Sequence, residues 1–129
     1  MRAVDTNVIL RLFAQDDVRQ VAAARQALAD GFFVPKTVLL ELEWVLRGVY
    51  REPREKIVAA IEAILVTANV VVEDVATVER ALEWFSRGMD FADALHLASS
   101  GHVGAFVSFD IGMRRQATAM KLSPPVVTP

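Results

Sequence analysis

Short apolar segments alternate along the chain with longer segments in which apolar and polar positions follow a helical period. The candidate strands run from about Ala3 to Asp5, Phe32 to Val34, Val70 to Val72 and Ala105 to Ser108. Strands that alternate with helices in this way are typical of parallel sheets built from right-handed crossovers. We therefore predict a three-layer α/β/α sandwich, a single domain over residues 1–129, with a central, mainly parallel sheet of about four or five short strands.

Six segments between and after these strands are predicted to be helical. They run from about Asn7 to Phe13, from Asp17 to just before Gly31, from Thr37 to Tyr50, from Pro53 to Thr67, from Asp74 to near Gly88, and from Phe91 to Ser100. Asp17, Asp74 and Asp90 are the predicted N-caps, and Pro53 is suited to a helix start. The proline-rich end, Ser123 to Pro129, is predicted to be either an extended tail or an edge strand.

Composition and charge exclude several classes of protein. The chain has no Cys, which excludes disulfides, thiolate metal sites and cysteine nucleophiles and fits a reducing compartment. Its 53% of apolar residues and net charge of −2 exclude disorder, and 14 Lys and Arg against 16 Asp and Glu exclude nucleic-acid binding driven by bulk charge. We find no export signal and no apolar segment near the roughly 18 residues of a membrane span. We therefore expect a cytoplasmic protein that does not span a membrane.

Acidic residues follow two of the predicted strands. Asp5 ends the first strand with Thr6 beside it, and Asp110 lies two residues beyond the strand that ends at Ser108. Each acid alone could be a helix cap or a loop residue. Because the carboxyl ends of parallel strands open on one edge of a sheet, and ligands bind beyond that edge, the two together indicate a binding or catalytic site.

Two further acids lie in the third predicted helix. At about 100° per residue, Glu41 borders the apolar stripe, whereas Glu43 and Arg47 lie together on the opposite face. We expect Glu43 to be solvated and paired with Arg47, and Glu41 to need a partner or a cation. Glu41 is therefore the candidate site residue of this helix.

Asp90 and Asp93 have the spacing of an N-cap and the third helical position. Both can stabilise the start of the helix, where the helix dipole favours anions, and this is the interpretation that we favour for Asp90. Asp93 is followed by the small Ala94, so a ligand could approach it closely. Its pattern fits a helix-start residue and a site residue equally well.

In order along the chain, these motifs resemble those of PIN-domain ribonucleases, and most closely those of the VapC-type toxins of bacterial toxin–antitoxin pairs. The matching segments are Val4 to Asn7, Leu40 to Leu46, Phe91 to Ala94 and Val107 to Asp110. The resemblance implies that Asp5, Glu41, Asp93 and Asp110 are the catalytic and metal-binding acids, with Thr6, Asn7 and Ser108 in support. It also implies an RNA substrate, a cognate antitoxin and a homodimer. The resemblance implies one or two metal ions. After Asp110 the family often continues with polar or acidic residues and an aromatic, whereas this chain has Ile111-Gly112-Met113 and so lacks a further acidic ligand for a second ion.

A cluster of carboxylates would need a cation, because like charges close together otherwise force some of them to take up protons. Oxygen ligands suit Mg²⁺ or Mn²⁺, and such an ion lowers the pKa of a bound water and stabilises charge on a phosphate. The implied reaction is hydrolysis of an RNA phosphodiester bond without a covalent intermediate.

Two other classes of protein remain open on the sequence. A receiver-like or aspartyl-phosphatase-like domain also carries acids at strand ends, but here no late strand ends in Lys, and Asn7 occupies the position of the second phosphatase Asp. The second of these classes is a non-catalytic PIN-like module that binds RNA or protein. The third helix also has more apolar residues than one core stripe needs, which indicates either a dimer surface or a fully buried helix. These residues are Leu39, Leu40, Trp44, Val45, Leu46 and Tyr50.

Overall fold

The computed structural model describes residues 1–14 and 17–129, which form five short strands and seven helices. These residues divide into two compact units, Met1–Val75 and Ala76–Pro129. No helix in the described part of the chain is both long enough and apolar enough to cross a membrane.

The first unit consists of a three-stranded parallel sheet and four helices. Its elements are β1 (Arg2–Ala3), α1 (Thr6–Ala14), α2 (Val18–Ala29), β2 (Phe32–Val34), α3 (Lys36–Gly48), α4 (Arg54–Leu65) and β3 (Val70–Val72). The strand order is β1-β2-β3, so β2 is central. The core contains Val34, Leu39, Leu42 and Ile61, all fully buried, which anchors α3 and α4 on the sheet.

Local chemistry sets the boundaries of these elements. The Asp17 carboxylate accepts hydrogen bonds from the backbone N–H groups of Arg19 and Gln20, as an N-cap of α2 does. Gly31 precedes β2 with φ +77°, and a Cβ there would lie 2.9 Å from the carbonyl oxygen of Asn69. Only glycine combines that backbone conformation with so close an approach to the segment that leads into β3.

The second unit consists of α5 (Val75–Ser86), which starts at the boundary, α6 (Phe91–Ala98), β4 (Phe106–Val107), α7 (Ile111–Ala119) and β5 (Val126–Val127). Its two strands pair in parallel, with Phe106 opposite Val126. In its core, Phe85 of α5 and Phe91 of α6 meet edge to face, with ring centroids 5.4 Å apart. This contact fixes the start of α6, which carries Asp93.

The predicted α/β class with parallel strands is confirmed, and the hydrogen-bonded strands form one set of three and one set of two. The ranges of β2 and β3 are as predicted, and the six predicted helices are present with similar bounds. β1 is shorter than predicted, so Asp5 follows the strand instead of ending it. The proline-rich tail forms β5. Helix α7 was not predicted, because only Met113 and Ala117 in it are buried and the apolar period is weak.

Candidate active site

In the first unit, a buried threonine connects the two motif acids. Thr6 is the first residue of α1 and only 3% exposed, and its hydroxyl donates a hydrogen bond to Oε1 of Glu41 on α3. Asp5 precedes Thr6 directly, and its Oδ1 accepts the backbone N–H of Val8 at 3.3 Å. The turn after β1 thus holds Asp5 beside the residue that orients Glu41.

Asp5 and Asn7 are accessible to a ligand. Asp5 lines a cavity of about 410 Å³ together with Arg2, Val8 and Gly31. Asn7 lines a cavity of about 330 Å³ that also contacts Val8. Both volumes are within the range of small-molecule binding sites. Asp5, Asn7 and Glu41 are exposed, so their polar atoms can contact a bound group.

In the second unit, Asp93 lies close to other carboxylates. Asp90 is the N-cap of α6, and its Oδ2 accepts the backbone N–H of Asp93 at 3.1 Å. Partial burial raises the pKa of Asp93 above its usual value, and the charges of Asp90 and Asp110 raise it further. The charge of His96 acts in the opposite direction and lowers the pKa of Asp93. The sequence favours a helix-cap role for Asp90, but in the structure its charge also acts on Asp93. The short spacing between Asp90 and Asp93 is the sequence signal that indicates this interaction.

Asp110 is fixed by hydrogen bonds on both sides. Its backbone N–H donates to Oγ of Ser108 at 3.0 Å, and its Oδ1 accepts the N–H of Met113 at 3.0 Å as the N-cap of α7. Among the described residues, no group donates a hydrogen bond to Oδ2 of Asp110. The residue is therefore a helix cap that keeps one carboxylate oxygen for a ligand.

The predicted surroundings of Glu43 are wrong. Glu43 is buried, with its side chain 3% exposed, whereas Glu41 is exposed. The predicted ion pair is confirmed, because Nε of Arg47 lies 2.8 Å from Oε1 of Glu43. The helical projection assumed one buried face, but α3 packs against both α1 and α4. The buried charge is compensated by Arg47, whose side chain is half exposed.

Each unit thus brings its own predicted site residues together. Asp5, Thr6 and Glu41 meet in the first unit, and Asp93, Ser108 and Asp110 are neighbours in the second. Within neither unit do three or more Asp, Glu or His side chains of the described residues form a group close enough to hold a metal ion. The donors nevertheless fit Mg²⁺ or Mn²⁺, because they are carboxylate oxygens and Mg²⁺ usually keeps several waters beside one or two carboxylates.

Comparison with known proteins identifies the family. The PIN domain family model matches residues 2–119, a range that includes all four motif acids. No curated protein and no solved structure matches the chain significantly. The chain belongs to the PIN domain family, whose members are generally nucleases.

Proposed function

We propose that this protein is a metal-dependent endoribonuclease that hydrolyses RNA phosphodiester bonds. Its catalytic and metal-binding acids are Asp5, Glu41, Asp93 and Asp110. The observation that carries the proposal is the placement of the motif acids: the buried Thr6 joins Asp5 to Glu41 in the first unit, and in the second Asp93 lies partly buried where the charges of Asp90 and Asp110 act on it. Like charges held together in a partly buried site are costly, and a divalent cation offsets that cost.

The side chains have distinct roles in this mechanism. Asp5 and Glu41 would supply carboxylate oxygens to a metal ion, and Thr6 keeps Glu41 in one orientation through its hydroxyl. Asp93 and Asp110 are the residues of the second unit that would supply carboxylate oxygens. One or two bound Mg²⁺ or Mn²⁺ ions would supply an acidified water and neutralise charge on the phosphate.

Supporting residues hold this arrangement or contact the substrate. Ser108 fixes the backbone of Asp110 by accepting its N–H. Asn7 is exposed on the first turn of α1, where its amide can donate a hydrogen bond to a phosphate oxygen. In this mechanism water is the nucleophile, and no side chain becomes covalently modified.

Asp5→Asn tests the proposal, with single-stranded and structured RNA as substrates and with Mg²⁺, Mn²⁺ or EDTA added. We expect cleavage with either metal, none in EDTA, and a loss of at least about 100-fold in Asp5→Asn, because the amide loses the charge that binds the metal. Asp30→Asn, which changes another exposed acid of the same unit, is the control and should cleave normally. Unchanged circular dichroism would exclude unfolding. Full activity of Asp5→Asn in excess Mg²⁺, or cleavage in EDTA, contradicts the proposal.

The biological role that we propose is that of the toxin in a toxin–antitoxin pair. An apolar cavity of about 190 Å³ in the first unit supports a protein partner, because it is lined by Ile9, Leu12 and the partly exposed Phe13 and can receive an apolar side chain. Expression of the chain alone should arrest growth, and Asp5→Asn should not. Relief of that arrest by the product of a small neighbouring gene would identify the antitoxin, whereas normal growth on expression of the active nuclease contradicts the role.

The proposed assembly is a homodimer. Trp44, Val49 and Tyr50, at the end of α3 and just beyond it, are 59%, 64% and 40% exposed, which is a concentration of large apolar groups outside the core. Analytical ultracentrifugation should give a dimer at micromolar concentration and a monomer for Trp44→Glu. A monomeric parent protein contradicts the assembly.

A further inference from the structure

An aromatic side chain lies between two residues of the candidate site. Phe109 follows Ser108 and precedes Asp110, and it is 81% exposed. Val107 and Ile111, two residues away on either side, are 59% and 52% exposed. A single exposed apolar residue is ordinary, but here the exposed aromatic ring is joined directly to a proposed catalytic acid.

The backbone on both sides of Phe109 is fixed. The N–H of Ser108 donates to the carbonyl oxygen of Val127 on β5 at 2.9 Å. On the other side, the N–H of Asp110 donates to the Ser108 hydroxyl, and the Asp110 carboxylate caps α7. Phe109 is therefore presented by an ordered turn, which lowers the entropy that a bound partner must overcome.

A cationic side chain lies on the helix that follows. Arg115 is exposed on α7, one helical turn after Ile111, so the two share a helix face. Within the described residues Arg115 has no side-chain hydrogen bond or ion pair. The adjacent Arg114 differs, because its guanidinium donates to Oγ1 of Thr128 at 3.2 Å. An exposed aromatic ring combined with an available cation is typical of surfaces that bind single-stranded nucleic acids.

We propose that Phe109 and Arg115 form a nucleotide-binding subsite beside Asp110. The ring of Phe109 stacks on a base next to the cleaved phosphate, and Arg115 binds a neighbouring phosphate of the same strand. Stacking tolerates any base, so the subsite does not read the sequence of the RNA. This inference rests on the proposed ribonuclease function and assigns two further substrate contacts to it.

RNA binding by Phe109 variants tests the stacking step. In an Asp5→Asn background with Mg²⁺ present, the dissociation constant is measured for a single-stranded oligonucleotide that contains 2-aminopurine. We expect Phe109→Ala and Phe109→Leu each to bind about 5- to 150-fold more weakly and to lose the fluorescence quenching that stacking causes. Phe109→Tyr keeps the ring and should stay within about twofold of the parent. The leucine variant separates stacking from mere apolar contact.

The phosphate contact has its own measurement. Arg115→Ala should lower the slope of log affinity against log salt by about 0.7, the value for one phosphate contact on a single strand. Arg87→Ala is the matched control, because Arg87 is also an exposed arginine of the second unit but already pairs with Glu83. Its salt slope should equal that of the parent protein.

The outcomes separate the subsite from the function on which it rests. A parent protein that neither cleaves nor binds RNA overturns both. A protein that cleaves RNA while Phe109→Ala and Phe109→Leu bind as tightly as the parent overturns the subsite alone. The subsite is also overturned if Phe109→Ala changes the sedimentation coefficient and not the RNA affinity, because that result identifies an interface between protein chains.

Discussion

The two units place their motif acids in different electrostatic surroundings. In Met1–Val75, hydrogen-bond donors stabilise the carboxylates, since Glu41 accepts from the Thr6 hydroxyl and Asp5 accepts the N–H of Val8. In Ala76–Pro129, Asp93 lies close to two other carboxylates, and its pKa is raised. The first pair is therefore preorganised without a cation, whereas the second carries an electrostatic cost that a bound proton or cation would lower.

The effect of Mg²⁺ on the free energy of unfolding should be the largest of those that test this difference between the two units. We expect Mg²⁺ to raise the free energy of unfolding of the metal-free protein by about 2.7 kcal/mol at a concentration 100 times the dissociation constant. Asp110→Asn should lose most of this gain, because it removes a carboxylate whose charge acts on Asp93 and which is a proposed metal ligand. Thermal unfolding with and without Mg²⁺ measures the difference.

Asp17→Asn provides a matched control for that experiment. Asp17 and Asp110 are both N-caps whose Oδ1 accepts backbone N–H groups, and asparagine caps a helix about as well as aspartate. The two variants thus make the same change at a helix start inside and outside the candidate site. Equal loss of the Mg²⁺ effect in both would contradict a role for Asp110 in metal binding.

Thr6→Val tests whether the first pair is preorganised. The substitution removes the hydroxyl that donates to Glu41 and keeps the shape of a residue that is 3% exposed. We expect cleavage to fall about 10-fold, since a hydrogen bond to a charged group contributes roughly 1.5–3 kcal/mol and water replaces part of it. The melting temperature should change by only a few degrees, as about 1 kcal/mol corresponds to roughly 3–6 °C.

Thr77→Val is the corresponding change in the second unit. Thr77 is also buried, at 5% exposure, and lies outside the candidate site. Its hydroxyl oxygen accepts a long hydrogen bond, 3.5 Å, from the guanidinium of Arg80. Cleavage by this variant should equal that of the parent protein. If the two valine variants lose activity equally, Thr6 acts through general packing and does not orient Glu41.

The sequence predicts those features that depend on neighbouring residues. Asp17 and Asp90 are N-caps, as their spacing from following backbone N–H groups indicates. The ranges of β2 and β3 are also predicted, because each is a continuous run of three apolar residues bounded by turn-forming or polar residues, Gly31 and Pro35 for β2 and Asn69 and Glu73 for β3. The parallel α/β class follows from this alternation without knowledge of any long-range contact.

Features that depend on distant packing could not be predicted. Glu43 is buried because α3 has neighbours on two sides, which a helical projection of one segment does not reveal. The bond from Thr6 to Glu41 joins residues 35 positions apart, and no local pattern indicates it. Helix α7 has too few buried positions for a clear apolar period, so the sequence does not predict this helix. The motif identifies Asp110 as a candidate site residue, but the hydrogen bond by which it caps α7 could not be predicted.

Asp93→Asn tests the electrostatic cost in the second unit. Because the pKa of Asp93 is raised on folding, its ionised form destabilises the metal-free folded protein at neutral pH. We expect the variant to be more stable at pH 7, by less than about 1 kcal/mol since the group is only partly buried. The gain should shrink as the pH falls through the raised pKa and vanish below about 4, where the parent carboxyl is protonated in both states. Chemical denaturation across that pH range checks this, and a gain that grows towards acid pH contradicts it.

Gly112→Ala should give the smallest effect, with stability and activity changing in opposite directions. A Cβ at Gly112 would lie 3.3 Å from Oδ1 of Asp110, so the carboxylate must move by a few tenths of an ångström. Alanine favours the helical conformation of α7, and we expect the protein to gain about 0.5 kcal/mol of stability. Cleavage should fall about two- to fivefold, because small displacements of catalytic groups are costly.

Gly48→Ala separates these two effects. Gly48 is the last residue of α3, and a Cβ there meets no heavy atom within 4 Å, so the substitution gains helix propensity without moving a site residue. We expect stability similar to that of Gly112→Ala together with unchanged cleavage. If Gly112→Ala also cleaves normally, the position of Asp110 is less critical than its charge. The second unit would then contribute to the site mainly through charge, whereas the first contributes through geometry.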